Sequence, residues 1–164
     1  MIANVLAFLA QWQYLGAFVG IFAEEAGVPL PVPGDVFIAA LGASGRAGHA
    51  SFVLSALVVC AATVLGSAVL FEFSHRVGRP LLNRVGHRVG FHGARVERVE
   101  KWLLSHGAAS IALGRLVPGF RIVLTVAAGT LGMGRASFLI GAAIASLIWA
   151  GIYYWLGYLL GAGV

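Results

Sequence analysis

Three long stretches of this chain carry no charged side chain: Met1 to Ala23, Ser51 to Phe71 and Ala136 to Val164. Each meets the roughly 20 residues a helix needs to cross about 30 Å of hydrocarbon. Lipid offers backbone N–H and C=O groups no hydrogen-bonding partner, so such runs are confined to helices, in which the chain satisfies itself. Composition agrees. Hydrophobic residues make up 60% of the chain, charged residues 10%, and mean hydropathy is +0.92, whereas a soluble domain is about a quarter charged. The first run is the weakest, holding Asn4, Gln11 and Gln13. It lacks a basic leader and a small-residue cleavage site, so it reads as a retained N-terminal helix over residues 1–23. The 164 residues are expected to form one all-α integral membrane domain.

Charge is concentrated in one place. His75 to His106 holds Arg76, Arg79, Arg84, Arg88, Arg95, Arg98 and Lys101, against Glu97 and Glu100. By the positive-inside rule this stretch, residues 75–106, faces the cytoplasm and places the protein as a multi-pass component of the cytoplasmic (inner) membrane. Val77, Leu81, Val85 and Val89, then Val96, Val99 and Leu103, have helical spacing suited to an anionic membrane surface. Pro80, Gly86, Gly90 and Gly93 are expected to break it into short pieces. The excess charge is confined to this loop and accompanies no nucleic-acid-reading motif, so no nucleic-acid partner is implied. The lone Cys60 supports no disulfide, and His49, His75, His87, His92 and His106 lack metal-ligand spacing. Neither a metal nor a cofactor is expected.

Two apolar segments between the long runs contain helix breakers. Glu24 to Asp35 holds Pro29, Pro31 and Pro33, and no helix runs through such a stretch unbroken, because proline removes a donor and clashes with the preceding turn. Val36 to Ala43 then rises only about 12 Å before Ser44 to His49, less than half a bilayer. That predicts a re-entrant hairpin over residues 24–49, followed by a transmembrane helix over 50–74. The same grammar recurs over residues 107–135, with a break at Pro118 between Arg115 and Arg121 and an exit at Gly129, Gly132 and Gly134; a transmembrane helix follows over 136–162. Ala50-Ser51-Phe52 recurs as Ala136-Ser137-Phe138, and Pro33-Gly34 lies near the place of Pro118-Gly119. Asp35 then corresponds to Arg121, and because the long helices leave from opposite sides of the membrane, the repeat is expected to be inverted.

Inverted repeats of broken helices, with ionisable groups at membrane depth, characterise secondary transporters. The candidate substrate-binding residues are Arg115, Arg121, Glu24, Glu25 and Asp35. Arginine forks and half-helix N-termini suit a phosphate, and Glu24 and Asp35 are placed to couple protons. Asp35 has a plainer reading as an N-cap, and Arg115 and Arg121 as structural partners of Glu24 and Asp35. Trp149, Tyr153, Tyr154, Trp155 and Tyr158 read as packing and interface belt. Glu72 is expected to reach toward the loop arginines.

The residues Glu24-x-x-Gly27-x-Pro29-x-Pro31 with Pro33-Gly34-Asp35, Phe71-x-x-Ser74-His75-Arg76-x-Gly78, Gly114-Arg115-x-x-Pro118-x-x-Arg121 with Ala128-Gly129, and Leu156-Gly157-Tyr158-x-x-Gly161 resemble the DedA family, also called the VTT or SNARE-associated membrane domain. The resemblance covers about Phe18 to Gly161. It implies two opposed re-entrant hairpins and a role as a membrane transporter or flippase returning undecaprenyl phosphate, or a related polyprenyl phosphate, across the cytoplasmic membrane, with proton coupling. It also implies that Glu24, Asp35, Arg115 and Arg121 occupy the essential acidic and basic positions. The chain departs from that family in carrying Glu72 where an acid is unusual. An intramembrane enzyme acting on lipid phosphates is the alternative, although no nucleophile or metal motif accompanies the carboxylates; a membrane scaffold is the third. The expected partners are the membrane and a phosphorylated lipid, and glycine-rich helices are compatible with a homo-oligomer.

Overall fold

The computed structural model describes residues 2–85, 94–117 and 119–161, with side chains described from Trp12 to Gly78 and from Lys101 to Gly161, Pro118 apart. Its regular elements are helices: α1 (Ile2–Glu25), α2 (Gly34–Arg46), α3 (Phe52–Val85), α4 (Ala94–Arg115), α5 (Arg121–Thr130) and α6 (Arg135–Leu160). No strand occurs among the described residues. Among the described residues two helices are long and apolar enough to cross a membrane, Phe52–Gly78 within α3 and Arg135–Leu160. Both turn large apolar side chains outward, among them Val53, Leu57 and Val69 on α3 and Ile140, Leu147 and Leu159 on α6. Outward apolar faces of this extent suit lipid rather than water.

Both expected breaks are present. α1 stops at Glu25 because Gly27 takes a left-handed φ of 92°, which lets Gly27 N–H donate to Glu24 O and Val28 N–H to Ala23 O, each at 3.0 Å. This glycine cap closes α1 before Pro29 is reached, so the prolines do not themselves end it. Pro29 and Pro31 lie in the exposed connection. Pro33, at φ −61° and ψ 145°, is the N-cap of α2. In the second hairpin α4 tightens as it ends, with Leu116 N–H donating to Leu113 O and Val117 N–H to Gly114 O, and α5 begins afresh at Arg121. Pro118 itself lies outside the described residues.

Elsewhere the boundaries differ from expectation. α3 does not end near residue 74 but continues through Arg76 and Pro80 to Val85, 34 residues in all. Proline at 80 leaves one carbonyl, that of Arg76, without its helical donor. Gly86, Gly90 and Gly93 lie outside the described residues. α4 bends at Gly107, whose φ of 50° and ψ of −130° are not helical. That is where the second hairpin was expected to begin. The buried Ser110 hydroxyl spans the bend, donating to Gly107 O at 2.7 Å and Leu103 O at 3.3 Å.

The ends of α2 and α5 share one bonding pattern. At the end of α2, Ala47 N–H donates to Ala43 O and His49 N–H to Ser44 O around Gly48 at φ 78°. At the end of α5, Leu131 N–H donates to Ala127 O and Met133 N–H to Ala128 O around Gly132 at φ 77°. Only the residue number changes, from 48 to 132. The following helices repeat a ring contact: Phe52 lies edge-on to Tyr154 at 5.1 Å, and Phe138 stacks on Phe71 at 4.5 Å.

The chain forms two compact units, Met1–Gly66 with Ser146–Val164, and Ser67–Ala145. In the first, α1 packs on α2 around Ala17, Ile21, Ile38, Leu41, Val59 and Tyr154. In the second, α4 packs on α5 around Phe71, Leu103, Ile111, Leu124, Ala128 and Phe138. Each unit clamps its short helix against the C-terminal half of a long one through glycine. Gly42 lies against the carbonyl of Tyr154, and Gly157 and Gly161 face Ala39 and Ala43. Gly129 sits on α3 so closely that a methyl group there would lie 2.5 Å from Phe71 O and 2.8 Å from Ser74 Cβ. Such contacts let backbones meet where no hydrophobic driving force separates helix from lipid.

Candidate functional site

The first unit carries Glu24, Glu25 and Asp35, all at the break between α1 and α2. A new helix leaves its first N–H groups without intrahelical acceptors. The Glu24 carboxylate answers one of them, accepting from Gly34 N–H at 2.5 Å across the hairpin. A carboxylate on a helix N-terminus is favoured both by the charge-assisted bond and by the helix dipole. The approach requires glycine. A methyl group at position 34 would crowd the Glu24 carboxyl group, with Cδ at 3.4 Å and Oε2 nearer still.

Adjacent helical residues project about 100° apart, and the two glutamates accordingly do different things. Glu25 is 2% exposed and packs against α3 at Gly66, where a methyl group would lie 2.8 Å from Glu25 Cβ and 2.5 Å from Phe22 O. Asp35 is not the N-cap. It is the second residue of α2, two positions past that role, which Pro33 holds without a side-chain bond and Glu24 completes from outside. Asp35 Oδ1 instead accepts from the indole Nε1–H of Trp149 on α6 at 2.6 Å.

The second unit carries the arginines. Arg115 is the last residue of α4, is 2% exposed, and donates from Nη1 to Thr125 Oγ1 at 2.9 Å. Thr125, fully buried, donates in turn to Arg121 O at 2.8 Å, so one hydroxyl ties the guanidinium to the first turn of α5. Arg121 begins α5 and is half-buried. α5 has Phe120 as its N-cap, with no side-chain cap bond.

Trp149 and Thr125 were not legible as site residues. Trp149 reads as one member of an aromatic cluster, and it does lie in that cluster, 5.0 Å from Tyr153. The available signal was that a buried indole N–H needs an acceptor. For Thr125 it was the four-residue spacing from Arg121, which suits back-bonding of a helical threonine. Glu72 pairs with Arg135 at the start of α6 in a forked contact whose second arm, Arg135 Nη2 to Glu72 Oε2, is 3.1 Å, and it also lies within electrostatic reach of Arg76. A planar guanidinium matches both oxygens of one carboxylate, which favours a single fixed partner over several mobile ones. Among the described residues no three His, Cys, Asp or Glu side chains come together as metal ligands.

Broken helices bearing acids in one unit and arginines in the other, between outward-facing apolar helices, define a helical membrane protein with polar break sites. The chain belongs to the DedA family: the VTT domain matches residues 32–159. It is similar to the uncharacterized membrane protein YbfM of Bacillus subtilis, 28% identical over 153 residues that cover 93% of each chain. It is 28% identical to Protein DedA of Escherichia coli K12 over 98% of this chain and 74% of that one. It is 21% identical to Undecaprenyl phosphate transporter A of Bacillus subtilis, over 99% of this chain and 79% of that one. No solved structure matches the chain.

Proposed function

We propose that this protein is a multi-pass transporter of the cytoplasmic membrane that moves a phosphate-headed lipid, undecaprenyl phosphate or a related polyprenyl phosphate, from one leaflet to the other without altering it chemically. The observation that carries the reading is the buried Arg115 guanidinium, held by the neutral Thr125 hydroxyl at the first turn of α5. A phosphate fits the fork of an arginine beside a helix N-terminus. The name of the Undecaprenyl phosphate transporter A relative supports the same substrate class.

In this reading both hairpins are re-entrant, the repeat is inverted, Glu24 and Asp35 act at the first break, and Arg115 and Arg121 act at the second. The α2 N-terminus is already taken by Glu24, so the phosphate goes to the α5 side, with Arg115 and Arg121. Glu24 and Asp35 serve proton coupling. Reconstitution of the full chain into vesicles with undecaprenyl phosphate in one leaflet tests this. The lipid changes leaflet and is recovered intact if the reading holds. Release of inorganic phosphate would support the lipid-phosphate enzyme instead, and no change of either kind would favour a scaffold.

A further inference from the structure

We infer that Trp149 is a positioning residue for Asp35, holding that carboxylate in one orientation through Oδ1 for its proposed transport chemistry. The inference rests on the proposed transport role of Asp35. Trp149 Nε1–H donates to Asp35 Oδ1 at 2.6 Å, a bond that spans 114 residues of sequence and joins α2 to α6. Indole is a donor only, uncharged and without a proton to exchange. It therefore fixes the direction of the carboxylate without neutralising it. The same bond survives if Asp35 takes up a proton at Oδ2, because Oδ1 is then still a carbonyl acceptor. An arginine or lysine in that place would compete with the substrate's own charge logic; a tryptophan does not.

The surroundings hold the indole still. Trp149 lies tilted against Tyr153, with ring centroids 5.0 Å apart, and packs against the buried core of the first unit. Along α2 and α6 the contacts advance together, Ala39 with Gly157 and Ala43 with Gly161. One turn back from Ala39 is Asp35, and two turns back from Gly157 is Trp149, whose indole reaches from there to the carboxylate. The glycine contacts set the register of α2 on α6, and Trp149 converts that register into the position of one oxygen.

The test compares Trp149→Phe, Trp149→His and Asp35→Asn in vesicles of phosphatidylethanolamine and phosphatidylglycerol carrying undecaprenyl phosphate, with rates measured across substrate concentration. Trp149→Phe keeps the ring and loses the donor. Its maximal rate is expected to fall about tenfold, the scale of one hydrogen bond to a charged group, with half-saturation little changed; Trp149→His, which retains a ring N–H, should recover part of that loss. Detergent-solubilised Trp149→Phe should unfold within a few degrees of the parent, which separates positioning from folding. Wild-type turnover by Trp149→Phe while Asp35→Asn is inactive would overturn the positioning role alone. Wild-type turnover by Asp35→Asn would overturn the transport reading of Asp35 beneath it.

Discussion

The Glu24 carboxylate accepts the backbone N–H of Gly34 ten residues further on, and Arg115 reaches Thr125 across the same interval. In both hairpins the last turn of the first arm is bonded to the opening of the second. An acid performs this task in one half and a base in the other. The two breaks thus share one bonding interval while the charge of the residue that makes the bond is opposite.

Gly34→Ala provides a test of sign. Alanine is the better helix former by about 1 kcal/mol, so propensity alone predicts stabilisation. Displacing Glu24 from the helix N-terminus removes a charge-assisted bond of about 1.5–3 kcal/mol, so a net loss of about 1 kcal/mol is expected in equilibrium unfolding. Shortening the acid in Gly34→Ala with Glu24→Ala should remove the crowding, and the double variant should fall well short of the sum of the two single losses.

Thr125→Val removes the hydroxyl that accepts from Arg115 while keeping the shape of the side chain. Leaving a buried guanidinium without that acceptor is expected to cost about 2 kcal/mol in chemical unfolding. Thr125→Ser, which keeps the hydroxyl, should stay within about 1 kcal/mol of the parent.

Glycines that meet backbone should behave unlike glycines that meet nothing. Gly129→Ala brings a methyl group 2.5 Å from Phe71 O, whereas at Gly16 a methyl group meets no atom within 4 Å. Gly129→Ala is expected to lower the unfolding midpoint sharply and Gly16→Ala to leave it unchanged or raise it, by the helix-propensity difference of about 1 kcal/mol. Thermal unfolding in one detergent compares them directly.

Topology follows from the proposed inversion. A single thiol at position 46 should react with an impermeant reagent only from outside the cell, and one at position 132 only from the cytoplasmic side, in a background where Cys60 is replaced by alanine. Labelling of both from the same side would contradict inversion.

Much of this architecture could be read from residues. The uncharged runs gave α3 and α6, the proline and glycine clusters gave both breaks, and Ala50-Ser51-Phe52 against Ala136-Ser137-Phe138 pointed to the matching turns at Gly48 and Gly132. What was not legible depends on tertiary register. Nothing local indicates that Gly27, not Pro29, closes α1, since both punctuate a helix. That α3 runs on through Pro80 to Val85 is a departure from proline's usual role as a helix breaker. The partners of Asp35 and Glu72 are 114 and 63 residues away in sequence, and no spacing rule connects them.

The central claim is that a phosphate group, held through Arg115, is what the protein moves. Leaflet exchange of undecaprenyl phosphate and of undecaprenol, the same chain without its phosphate, should be measured side by side in vesicles containing the parent protein or Arg115→Gln. Rapid exchange of the phosphate lipid by the parent alone, with neither lipid accelerated by Arg115→Gln and undecaprenol unaffected throughout, is the predicted result. Equal acceleration of both lipids by the parent, or full activity in Arg115→Gln, would contradict it.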